Sequence, residues 1–118
     1  MNWYIAMVVY EIICGNGNHC PQFDEQVRLI RATDHSDALN MANELGEQEA
    51  FSFTDQHQRL VQWKFLAVTE LMPLREMTHG AEIFNHIIEI EHPDGYREKI
   101  LNRSNAILQT QTDAIHSF

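Results

Sequence analysis

The sequence predicts an α+β fold: a mainly antiparallel sheet of four to five strands with two helices packed on one face, in the order β-β-α-β-β-β-α. Three observations predict it. Residues 3 to 14 are apolar on both alternations, as a strand covered on both sides must be. Period-two patterns recur at 22–30, 60–71 and 81–90. Helical spacing appears twice, in Ala38, Leu39, Ala42, Leu45 and again in Tyr96, Ile100, Leu101, Ile107, Leu108.

In the first strand Trp3, Ile5, Met7, Val9 and Ile13 alternate with Tyr4, Ala6, Val8, Tyr10 and Ile12, which suits mid-sheet or a subunit interface. Gly15-Asn16-Gly17-Asn18 breaks the chain, and in the next strand Phe23, Val27 and Leu29 share one face against Asp24, Gln26 and Arg28 on the other. The two strands form a hairpin. Asp34 or Ser36 offers an N-cap for a helix from about Ser36 to Ala50, with Asp37 near the positive end of its dipole. Gly46 costs that helix about 1 kcal/mol relative to Ala, enough to stop or bend it.

Phe51 and Phe53 begin a short strand, Asp55-Gln56-His57-Gln58 turns the chain, and Leu60 to Leu71 is a longer strand with Val61, Trp63, Phe65, Ala67 and Leu71 on one side. Pro73 ends it. Ala81 to Ile90 alternates as a fifth strand, His92-Pro93-Asp94-Gly95 interrupts, and a second helix runs from about Asp94 to Leu108. Gln109 to Phe118 lacks a pattern and is expected to fray.

At 118 residues the chain is expected to form a single domain, 1–118, large enough to need no disulfide staples. Eight Lys and Arg against 17 Asp and Glu give a formal charge of -9, which repels a nucleic-acid backbone and favours a basic protein as partner. Residues 3–14 are too short to span a bilayer, Glu11 interrupts them, and no cation precedes Arg28, so neither a membrane anchor nor a signal peptide is expected. The expectation is a cytoplasmic protein with Cys14 and Cys20 as free thiols.

The segments Asn2-Trp3-Tyr4, Phe23-Asp24-Glu25, Val61-Gln62-Trp63-Lys64-Phe65 and Gly80-Ala81-Glu82-Ile83-Phe84, in that order, resemble the bacterial family catalogued as domain of unknown function 4288. The resemblance covers roughly residues 2 to 90, with the Trp-Tyr start and the Trp-Lys-Phe strand as its most specific pieces. Where the family is expected to end its last strand in a Tyr-Ser-Arg type sequence, this chain has Phe84-Asn85-His86. The resemblance implies a small intracellular bacterial domain and no particular activity.

No complete catalytic set stands out. Gly15 and Gly17 precede a strand rather than a helix, unlike a phosphate loop, and no Ser elbow or Cys-His nucleophile pattern occurs. Cys14, His19 and Cys20 are weak metal candidates, because five residues separate the cysteines and His19 adjoins Cys20. No cofactor is expected. Among seven histidines, His86 falls on the face of Phe84 and Ile88, as a core or pocket residue. Glu25 shares the face of Phe23 and Val27, where a carboxylate must be paired, protonated or open to a cleft. Trp3, Tyr4, Trp63 and Phe65 are core residues or a stacking box for a ligand.

The leading expectation is therefore an acidic, non-enzymatic protein-binding module of immunity or regulatory type, with Asp37, Glu44, Glu47 and Glu49 facing a basic partner. A small-molecule site or enzyme pocket built on Glu25, His86, Trp63 and Tyr4 is the second reading, and a zinc-stabilised scaffold the third. An apolar sheet face left bare by the helices predicts a homodimer.

Overall fold

A computed structural model of the chain describes residues 1 to 116, with side chains described as far as Thr110. Contacts divide the chain into two compact units, Met1–Asn85 and the remainder from His86 onward.

The first unit holds β1 (Asn2–Cys14), β2 (Gln22–Ala32), α1 (His35–Gln48), β3 (Phe51–Thr54) and β4 (Leu60–Pro73). The four strands form one antiparallel sheet in the order β2-β1-β4-β3. The doubly apolar β1 is accordingly an inner strand, hydrogen-bonded to β2 on one side and β4 on the other. Its Tyr4, Ala6, Val8 and Tyr10 are buried, and so are Ile5 and Val9 on the opposite face.

Helix α1 lies on the sheet through small residues. Asp34 caps it in an extended conformation, its carboxylate accepting from the Asp37 amide at 2.8 Å. Asp37 in turn accepts from the amide and hydroxyl of Thr33 at 2.9 and 3.0 Å, which ties the helix start to the end of β2. Ala38 and Ala42 pack on Tyr4, Ala6, Ile30 and Ala32 to form the core, with Leu45, Val68 and Leu71 against it. The helix passes through Gly46 without stopping. Gly46 is buried against the ring of Phe65, which a Cβ there would overlap.

Three of the sequence expectations are corrected. In β2 the period is right but the faces are exchanged: Phe23, Val27 and Leu29 are half-exposed, while Asp24, Gln26 and Arg28 are partly buried on the α1 side. In β4, register shifts opposite Val9/Tyr10 and Met7/Val8 leave Leu66 and Thr69 without partners on β1. The side chains that follow Val61, Trp63 and Phe65 on the α1 face are therefore Val68 and Leu71, and Ala67 lies opposite Val9 on the other face. Finally, Ala81 to Ile90 is not a strand, since among the described residues it joins no ladder. Alternating polarity supplies a face but not a hydrogen-bonding neighbour. The sheet has four strands.

In the second unit the helix α2 spans Pro93–His116, with proline at its first position and Asp94 in its first turn. Arg97 donates to Asp94 at 2.9 Å. The expected tail from Gln109 is thus helical as far as His116, and its last two residues lie outside those described.

Candidate functional site

Antiparallel register brings the most distinctive sequence pieces onto one sheet face. Tyr10 on β1 lies opposite both Asp24 on β2 and Phe65 on β4, and Trp63 lies one step further along, opposite Ile12. Trp63 Nε1 reaches across β1 to donate to Asp24 Oδ2 at 3.0 Å. The same carboxylate oxygen accepts from Gln26 Nε2 at 2.7 Å, and Gln26 Oε1 accepts from Arg28 Nη1 at 2.9 Å. Arg28 Nη2 continues the row to Glu49 Oε1 at 2.9 Å, just past the end of α1. A partly buried polar strip is satisfied in this way member by member.

Charge along the strip follows from these bonds. The Arg28 guanidinium, bonded to Glu49, holds that carboxyl below the usual carboxylate range, and the same bond raises Arg28. Tyr10 is pushed up chiefly by burial and secondarily by Glu49. Its hydroxyl stays protonated and donates to the Gly46 carbonyl at 2.9 Å, one of the orphan acceptors of the last helical turn. Beyond the strip, Phe51 stacks on Trp63 at 5.0 Å with an 11° tilt, and Phe53 stacks beside them at 6.1 and 6.3 Å.

A second feature lies at the C-terminal end of β2. Trp3, Leu29, Ile30 and Arg31 of the sheet and Met41, Glu44, Leu45 and Gln48 of α1 line an open groove of about 430 Å³. The Arg31 guanidinium lies 5.7 Å from the centre of the Trp3 ring. Because β2 is an end strand of the sheet, its outer row of amides and carbonyls has no ladder partner among the described residues. A smaller groove of about 320 Å³ lies between residues 72–76 and 81–85.

The expected site residues are dispersed. Tyr4 is a core residue whose ring meets His35 edge-on at 6.5 Å, and Trp63 is half-buried within the strip. Glu25 is exposed on the side of β2 facing away from α1. His86 is exposed, in the second unit and outside any strand, which corrects its expected place in the core. Neither lines the grooves described above.

The four acids expected to meet a basic partner differ in their commitments. Asp37 is bonded to Thr33 and Glu49 to Arg28, whereas Glu44 lines the β2 groove and Glu47 is exposed. At the β1–β2 turn, His19 Nε2 accepts from the Cys14 amide at 2.9 Å, and its Nδ1 stands 2.8 Å from the Cys20 carbonyl. The tautomer with Nδ1 protonated satisfies both contacts, so the imidazole is spent on the backbone. Among the described residues no three His, Cys, Asp or Glu side chains are grouped to hold a metal ion.

Sequence reasoning put Asp24, Gln26 and Arg28 on one face of their strand without joining them to Trp63 or Glu49, and passed over the groove residues Leu29, Met41 and Leu45. One signal was present in Ala38, Ala42 and Gly46, small residues at four-residue spacing that mark where a helix closes on a sheet.

These features belong to a small α+β domain, and they fall within residues 3–85, which match the family model described as Domain of unknown function (DUF4288). The chain belongs to that family. No curated protein and no solved structure matches it. Among the described residues no helix is long and apolar enough to cross a membrane.

Proposed function

We propose that the chain is a non-enzymatic protein-binding module of the cytoplasm that takes up an extended segment of another protein molecule along the free edge of β2. The observation that carries this reading is the groove itself. An eleven-residue end strand has open backbone groups, and its end at Leu29–Arg31 is bordered by the apolar side chains Trp3, Leu29, Met41 and Leu45. Strand addition uses the backbone for affinity and adjacent pockets for selection, and this edge offers both. Glu44 in the groove favours a segment that places a cation beside it. The free thiols of Cys14 and Cys20 accord with a reducing compartment.

The test compares the tagged chain with its Leu29→Glu variant in affinity capture from host lysate at low and raised salt. Circular dichroism checks that the fold is retained. Loss of the retained protein in the variant is the expected result; equal retention would overturn the edge as the docking site.

A further inference from the structure

We infer that the segment held at the β2 edge is β2 of a second copy, paired antiparallel about a twofold axis through Arg28. This inference rests on the edge reading above and names its occupant. Between residues 25 and 31 the side chains facing away from α1 are Glu25, Val27, Leu29 and Arg31. Read about Arg28 this series is self-complementary. An antiparallel copy centred there sets Glu25 opposite Arg31 of the second copy, Val27 opposite its Leu29, and then the same two pairs again in reverse. Registers slipped by two residues set Glu25 opposite Leu29 or Thr33 instead, and Arg31 opposite Phe23 or Val27. The register is therefore specified by charge and by apolar contact together.

The side chains that would be covered are available. Val27 is 50% and Leu29 55% exposed, and Glu25 and Arg31 are exposed at either end of them. On the α1 face the axis brings Arg28 towards its own copy, but each Arg28 is already bonded to its own Glu49, which removes the like-charge objection.

Of the devices that keep strands apart, the edge carries charged side chains, Asp24, Glu25, Arg28 and Arg31, and lacks the others. β2 pairs with β1 over its length without a register shift, and it contains no proline, glycine or lysine. The remaining edges differ. β4 carries both irregularities of the sheet between Phe65 and Pro73, and β3 is only four residues long. An isologous pair formed through β2 makes each surface its own partner, as twofold symmetry requires.

The experiment is sedimentation equilibrium on the full chain and on Glu25→Arg, Arg31→Glu and the double exchange, with circular dichroism to verify folding. The unaltered chain is expected to be a dimer at micromolar concentration. Each single exchange sets like charges opposite one another twice per dimer, and is expected to raise the dissociation constant about tenfold or more. The double exchange is expected to restore it to within about threefold. A monomer at tens of micromolar, or single variants that dimerise as well as the unaltered chain, would overturn the inference. Leu29→Glu separates it from the broader reading. If that variant loses association while the exchanges show no compensation, the edge docks a partner in some other register or of another kind and the self-pairing is wrong. If it changes nothing, the edge reading fails as well.

Discussion

A methyl group at position 46 would overlap the ring of Phe65, so the absence of a side chain there lets α1 meet the sheet closely. In an isolated helix, replacing glycine by alanine gains about 1 kcal/mol. Here the added carbon must displace Phe65 or lift the helix, an overpacking cost of about 1–3 kcal/mol, and lifting the helix also strains the Tyr10 bond to the Gly46 carbonyl. Gly46→Ala is therefore expected to destabilise the protein by about 1 kcal/mol in chemical denaturation. A more stable variant would show that the approach is not tight. The charged residues make a second prediction. Glu49 is held low by Arg28, and Asp55 is held low first by the Arg59 amide and then by the His57 amide. Carboxyls lowered in the folded state stabilise it above their unfolded values, and that contribution is lost as pH falls through the folded ones. The denaturation midpoint should thus hold steady near neutrality and decline below about pH 4.5, modestly because Glu49 is exposed and Asp55 is only partly covered. Glu49→Gln should flatten part of that decline, and an unchanged slope would mean the Arg28 pair carries no stability.

At the level of elements, periodicity located β1, β2, β3, β4 and α1 closely, because each repeat is a local property of the chain. It could not choose the buried face of β2. The polar side chains that turn inward there depend on Trp63, 39 residues beyond Asp24, and on Glu49, 21 beyond Arg28. No local pattern reports such partners. The same reason applies to β4, where two irregularities reset the alternation so that Phe65, Val68 and Leu71 follow one another at intervals of three on the α1 face. It applies equally to Ala81–Ile90, whose alternation is as regular as that of a strand but which has no ladder among the described residues. The groove at the end of β2 was illegible for a related reason. It is made by α1 and an end strand together, and which strand ends the sheet is a matter of topology. By contrast, the approach of α1 was written locally, in Ala38, Ala42 and Gly46.

On the scale of the whole chain, the family match and the first compact unit end at the same place, residue 85. The core residues Tyr4, Ala6, Ile30, Ala32, Ala38 and Ala42 all lie before that point, and so do the polar strip, the stacked aromatics and the β2 groove. A unit of this size buries roughly 60% or slightly more of its unfolded surface, which is enough for independent folding. Residues 1–85 expressed alone should therefore unfold in a single cooperative transition, with a melting temperature within a few degrees of that of the same unit in the full chain. Heteronuclear NMR of the fragment should give dispersed amide resonances and protect the β1 amides most strongly from exchange, since β1 is paired on both sides. A fragment with collapsed spectral dispersion would show that the stretch beginning at His86 contributes to the fold of the family domain itself. A cooperative fragment assigns α2 a role outside that fold, and the sedimentation and capture experiments can then be repeated on the fragment to ask whether the β2 edge acts alone.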